Sequence, residues 1–329
     1  MRNCNACKPA LTIAALLFAV VAACASTLDE LEARADKARA SSDPAGQAEL
    51  AAITREVEQL VDSDALHSAS DFARAAKLVS NPYFKLEPAR LRHELTLTAV
   101  SLGDEASADQ LASTWDDVIL ATGRERPFGV RKFQFQNGPG ERFEVDEAPK
   151  CICDVLLAPV QARIRTRDRK DNSEVAKIVD ADQKARSDWH TPTNMEEGLR
   201  IWREDKARIK RIEDIVEGGG LHTATDFENA ALVCQHGSVF ADYQLAHELA
   251  LCAVVLGDGD ATWLAGATYD RMMLSASYPQ RFATQFLNGN LETVGNDGIN
   301  DTMRKAVVHV TIEDARRQEQ SLREQMLGH

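Results

Sequence analysis

The sequence predicts a mainly α-helical protein built as two tandem homologous helical domains, each with a small β-hairpin near its end. Three observations predict it. Apolar residues recur at helical spacing through most of the chain. Two blocks of sequence return in one register, offset by 155 and 154 residues. Each copy also ends in an Asn-Gly pair between short extended runs, the strongest local hairpin signal. With 329 residues there is room for two ordinary cores. The expected boundaries are 1–23 for a signal peptide, 24–170 for a first, degenerate copy and 171–329 for a second.

The N-terminus reads as an export signal. Arg2 and Lys8 give a positive start, and an apolar run follows from Ala10 to Ala23, broken only by Thr12. That run suits a signal and is too short for a comfortable membrane span. It closes on Val21-Ala22-Ala23-Cys24, which resembles the bacterial lipobox, where cleavage precedes a lipidated cysteine. Ordinary cleavage after Ala23-Cys24-Ala25 is the rival reading. The expectation is an exported protein of the periplasm or outer membrane, touching the membrane only through a lipid on Cys24.

Within the copies, Leu66-His-Ser-Ala-Ser-Asp-Phe-Ala-Arg-Ala-Ala76 matches Leu221-His-Thr-Ala-Thr-Asp-Phe-Glu-Asn-Ala-Ala231 at seven of eleven positions. His93-Glu-Leu-Thr-Leu-Thr-Ala-Val-Ser-Leu-Gly-Asp104 matches His247-Glu-Leu-Ala-Leu-Cys-Ala-Val-Val-Leu-Gly-Asp258 at nine of twelve. Ser70 and Thr225 stand as helix N-caps, with Thr225-Asp-Phe-Glu228 as a capping box. Leu102-Gly103-Asp104 and Leu256-Gly257-Asp258 read as a helix end, a left-handed glycine and the cap of the next helix. In the second copy one helix should end near His236, the next run from about Ala241 to Leu256, and a third return from about Asp260. Three or four helices should precede each hairpin, at Phe133-Gln-Phe135 with Asn137-Gly138 and at Thr284-Gln-Phe286 with Asn288-Gly289. Between the copies Arg163, Arg165, Arg167, Arg169 and Lys170 make a basic knot, read as a solvated linker rather than an anion site.

Composition is globular, 44% hydrophobic and 27% charged. The net charge of −13 argues against nucleic acid or an anionic membrane surface as the main partner. Beyond the signal and Cys24, four cysteines remain. Cys234 and Cys252 sit about ten residues out of step on consecutive antiparallel helices, roughly 15 Å apart along the axis. That exceeds the span of a disulfide, so they read as buried thiols. Cys151-Ile-Cys153 lacks the further ligands of a zinc site.

No strong catalytic motif is present. His93-Glu94 and His247-Glu248 lack the second histidine of a metalloprotease helix, and Gly218-Gly219-Gly220 has Ser63-Asp64-Ala65 as its counterpart. Polar residues kept in both copies are candidates for architecture, so His93, His247, His67 and His222 read as structural. Residues peculiar to the second copy are candidates for activity. They are Gln235, His236, Arg271 and Gln280, where the first copy is read to have Ser80, Asn81, Asp117 and Phe128. Asp270 has a counterpart in Asp116, and Gln285 in Gln134.

At these positions the second copy resembles a bacterial domain family of unknown function with the pattern D-Q-x-x-R, Q-H-[AG], D-R and P-Q-x-[YF]-G-T-Q. The matching residues are Asp182-Gln183 with Arg186, then Gln235-His236-Gly237, Asp270-Arg271, and Pro279-Gln280-Arg281-Phe282-Ala283-Thr284-Gln285. Ala283 replaces the family's glycine. The likeness covers about 110 residues, and it implies a domain type rather than a reaction.

The ligand-binding candidates are therefore Gln235, His236, Asp270, Arg271, Gln280, Gln285, Asp182 and Arg186, brought to one end of the helices by their alternation. Arg271 is expected either to pair with a carboxylate such as Asp182 or to hold an anionic ligand. The functional expectation is an envelope protein binding a small molecule or a protein partner, with no cofactor and no metal. The alternative is a hydrolase with His236 as general base and Arg271 on an anionic group.

Overall fold

The computed structural model describes residues 27–41, 43–81, 84–124, 127–128, 148–187 and 193–327. The expected signal segment with Cys24 and the expected hairpin at Phe133–Gly138 lie outside them. The described chain is mainly helical. Its first half holds α1 over 27–40, α2 Pro44–Asp62, α3 Ala69–Leu78, α4 Leu86–Ser101, α5 Ala108–Ala121, α6 Lys150–Leu156 and α7 Pro159–Thr166. The second half holds α8 Ser173–Ser187, α9 Met195–Glu217, α10 Ala224–Cys234, α11 Phe240–Val255 and α12 Ala261–Ser275. A two-stranded hairpin, β1 Phe286–Leu287 and β2 Asn290–Leu291, precedes α13 Asp301–Val308 and α14 Ile312–Leu327.

The two matched sequence blocks fall on α3–α4–α5 and α10–α11–α12, in the same helix order. Five helices, rather than three or four, precede the hairpin of the second half. The extra one escapes notice because the long, charge-rich α9 buries only Ile209, Ile212, Ile215 and Val216, near its C-terminal end. The caps also sit two residues earlier than expected. Ser68 and Thr223 are the N-caps, accepting from Asp71 N and Asp226 N at 3.1 Å. Asp71 in turn accepts from Ser68 N at 2.9 Å, and Asp226 from His222 N at 2.9 Å. A short carboxylate three residues on closes each cap, so neither Thr225 nor Glu228 is needed. Gly103 and Gly257 end α4 and α11 at φ +96° and +100°, a region that side chains resist. The hairpin turn is as read: Asn288 and Gly289 both take positive φ, and Phe286 pairs with Leu291.

One continuous hydrophobic cluster runs through both halves. The halves exchange helices reciprocally, with α6 packed on α11 and α13 packed on α4. At the middle of this exchange His93 Nε2 meets His247 Nε2, both rings fully buried. Trp115 Nε1 donates to Glu248 Oε1 at 3.1 Å, while Tyr269 Oη donates to Glu94 Oε1 at 3.2 Å. Trp115 and Tyr269 are 154 residues apart, as are Glu94 and Glu248, so each half supplies the same two roles to the other.

His93 and His247 are thus structural, as expected. His67 and His222 are not buried like them: His67 is exposed and His222 half-buried. Their place in the sequence block is explained by their backbones, which feed the Asp71 and Asp226 caps. Cys151, Cys153, Cys234 and Cys252 form no disulfide among the described residues, and the last two are buried.

Candidate functional site

The second-half candidates stand on successive helices and turns. Gln235 caps α10, His236 begins the turn to α11, and Arg271 stands ten residues into α12. The turn is held by Asp242, which accepts from Ser238 N and Val239 N and pairs with Lys206 of α9 at 2.7 Å. Helix α8 brings Asp182 and Arg186 against this end.

Asp182 is the hub. Its carboxylate, 1% exposed, accepts from His236 Nδ1 at 2.9 Å, and Arg186 and Arg208 each approach it at 3.3 Å. Burial alone would push this carboxyl up. The His236 hydrogen bond and the charges of His236, Arg186 and Arg208 outweigh burial and hold it below the usual carboxylate range. Asp205 also takes hydrogen bonds from Arg186 and Arg208. The expected pairing of Arg271 with Asp182 is therefore not made; His236 occupies that oxygen instead.

Arg271 is left over. It is half-buried, and its Nε–H is buried without an acceptor among the described residues. The Nε–H of Arg186 is orphaned in the same way. Burial pulls the Arg271 pKa below its ordinary value, and the neighbouring charge of Arg186 pulls it further. The first half explains the vacancy of partners. There Asp117 pairs with Arg92 at 3.1 Å. Position 271 reverses the charge, and Ala246 stands 154 residues after Arg92, so neither old partner survives. Gln235, 4% exposed, adds a side-chain amide with no hydrogen bond among the described residues.

No protein family, curated protein or solved structure matches this chain. The site is consequently read from its own atoms.

Asp270, Gln280 and Gln285 form a separate arrangement behind Arg271. Asp270 accepts from Arg281 N, Phe282 N and Thr284 N, and from Thr284 Oγ1 at 2.8 Å. The Gln280 amide donates to Gln285 O and Glu292 O and accepts from Gln285 N. Gln285 Nε2 donates to Ala267 O and Thr284 Oγ1. These three side chains spend their polar atoms folding the segment after α12. In the first half Phe128 N donates to Asp116 Oδ1 at 2.9 Å, as Phe282 N does to Asp270 Oδ1. Phe128 therefore corresponds to Phe282, not to Gln280 as the sequence comparison had it. Gly129 to Gly138 blurred the register there, because the copies differ in length beyond the last matched block.

Sequence reasoning passed over Arg281, which is 2% exposed and makes a two-point ion pair with Glu94 across the halves, at 2.8 and 3.0 Å. Its signal was a cation between Gln280 and Phe282 in an otherwise apolar and amide stretch. Among the described residues no group of three or more His, Cys, Asp or Glu side chains could hold a metal.

Proposed function

We propose that this chain is a duplicated, exported and lipid-anchored envelope protein whose second copy, a domain of the motif family above, binds a small anionic ligand. The carrying observation is Arg271. It is a half-buried guanidinium without a hydrogen bond or ion pair among the described residues, beside a second arginine with an orphaned Nε–H. A buried unpaired cation is costly, and a carboxylate or phosphate between Arg271 and Arg186 satisfies both donors with charge-assisted hydrogen bonds. Gln235 supplies an amide to the same ligand. The test is calorimetric titration of the intact protein and its Arg271→Ala variant with succinate and inorganic phosphate. The reading expects binding by the wild type only, with the variant as stable as wild type or more so. A variant that melts much lower, with no binding by either protein, would make Arg271 part of a structural network and end the reading.

A second reading, hydrolysis, is favoured by the Asp182–His236 pair. Engagement of Nδ1 by a carboxylate orients the ring and leaves Nε2 to take a proton from water, with Arg271 on the anionic part of the substrate. Turnover of p-nitrophenyl phosphate or acetate that disappears in His236→Gln supports it; no turnover above buffer removes it. The lipid anchor is tested separately, by the mass of the mature N-terminus. A terminus at Ser26 without diacylglycerol excludes the anchor.

A further inference from the structure

A cleft opens where the halves join, between α6, α7 and the turn from α9 to α10, with a volume of about 320 Å³. That is at the lower end of small-molecule pockets. Val155, Ala162, Leu221 and Phe227 give it apolar walls, and Arg165 and Arg169 of the basic knot stand on it. We propose that this cleft is a binding site for a small amphiphilic anion, a carboxylate with a compact apolar body.

The arginines carry the argument. Several surface arginines of this acidic chain grip carboxylates, as Arg34 holds Glu49 and Glu56, Arg211 holds Glu174 and Arg323 holds Glu319, while others such as Arg55 and Arg316 point to open solvent instead of a cleft. Arg165 and Arg169 hold no carboxylate among the described residues. Arg165 donates to the backbone oxygen of Asp154 at 2.6 Å, and Arg169 to His222 Nδ1 at 3.0 Å. A guanidinium has five N–H donors, so most of both forks stays open toward an anion. With Nδ1 of His222 accepting from Arg169, Nε2 is the nitrogen left to donate on this cleft-lining residue. The one carboxylate on the lining, Asp154, is taken by Lys150. Cationic donors over apolar walls select a ligand with both characters: the head replaces the missing carboxylates, and the body covers Val155, Leu221 and Phe227. This site shares no residue with Arg271 and stands whether or not the proposed function does.

The experiment uses the intact protein labelled with ¹⁵N and titrated with octanoate, octan-1-ol or sulfate. Octanoate is expected to bind with Kd of roughly 1 mM or tighter and to shift the Gly219 and His222 amides. Octanol and sulfate, each lacking one half of the ligand, are expected to bind at least about tenfold more weakly. An Arg165→Ala/Arg169→Ala double variant, altered only at exposed side chains, should lose about tenfold in octanoate affinity with its melting temperature unchanged. Arg271→Ala should bind octanoate as wild type does. The proposal is overturned by no binding at 10 mM, by unchanged affinity in the double variant, or by octanoate shifts at Gln235 and Arg271 that vanish in Arg271→Ala.

Discussion

His93 Nε2 lies 3.2 Å from His247 Nε2, and the two rings cannot hold their protons alike. His247 Nδ1 is 2.9 Å from Ala265 O, which only accepts, so its proton is on Nδ1 and its Nε2 accepts. His93 must then carry its proton on Nε2 and donate it. Its Nδ1 accepts the Thr114 hydroxyl at 3.0 Å. A directed chain from Thr114 through both rings to Ala265 crosses between the halves, with one ring proton on each histidine where an imidazolium would carry two.

Acid should therefore break the protein at this seam. Burial lowers His93 to about 3 and His247 well below its ordinary value, the second also through the charge of the first. An unfolded histidine protonates near pH 6.5. Between that pH and about 3 the unfolded chain binds more protons, so stability rises with pH across this window and falls as pH drops. Even a two-unit depression of one ring costs about 3 kcal/mol by pH 4. Denaturant melts at pH 7, 5.5 and 4 check it, and His247→Gln should flatten the slope.

Glu94 and Glu248 occupy matching positions yet should respond oppositely to amidation. Glu94 is held by Arg281, and Glu94→Gln strands that buried cation at a cost of about 3–5 kcal/mol. Among the described residues Glu248 has only Trp115 and Gln244 as donors, and burial raises it to about 7. Above an unfolded value near 4.5, the folded state keeps a proton that the unfolded chain has released. Stability from this group thus falls as pH rises from about 4.5 to about 7. Glu248→Gln should gain about 1–3 kcal/mol at pH 8 and nothing at pH 4.5. Thermal melts of both variants at the two pH values decide it, and the Glu248→Gln background isolates the histidine effect.

Ala283 sits at φ +61°, where the family pattern has glycine. A left-handed alanine costs roughly 1 kcal/mol relative to glycine. Ala283→Gly should accordingly stabilise the protein by about 0.5–1 kcal/mol, read as a higher denaturation midpoint with an unchanged slope.

Gly237 has the reverse constraint. A Cβ there would fall 2.1 Å from Cβ of Asp242, the residue that caps α11 and holds Lys206. Gly237→Ala must displace the cap and should cost about 1–3 kcal/mol. Because His236 is adjacent, anion binding at Arg271 should weaken with it. A fully stable variant on thermal denaturation would show that the turn yields more freely than its packing implies.

Much of the helical plan is legible in the sequence, because its signals are local. The helix expected from about Ala241 to Leu256 is Phe240–Val255, and the next begins at Ala261 as the Gly257 stop requires. What escaped is relational. Comparing the copies identified His93 with His247 but could not say that equivalent residues touch, since alignment lays copies side by side and is blind to which faces meet. Arg281 stayed invisible for the same reason, its partner being 187 residues away. The site was half legible. Asp182, Arg186 and His236 do gather, with Arg271 near enough to feel the charge of Arg186, whereas Asp270, Gln280 and Gln285 turn inward to backbone groups that only the folded segment supplies. Ala246 opposite Arg92 was the readable clue that Arg271 would lack a partner.

The placing of α13 on α4 has a consequence in time. Residues 86–101 leave the ribosome long before residues 301–308 exist, so the flank of α4 that α13 covers stays open until the chain is nearly finished. Wrapping that late raises the sequence separation of core contacts and slows folding, and it leaves an apolar groove available to chaperones or to other nascent chains. Chains truncated before Asp301 should emerge with α4 unsealed and aggregate, however sound their first five helices are.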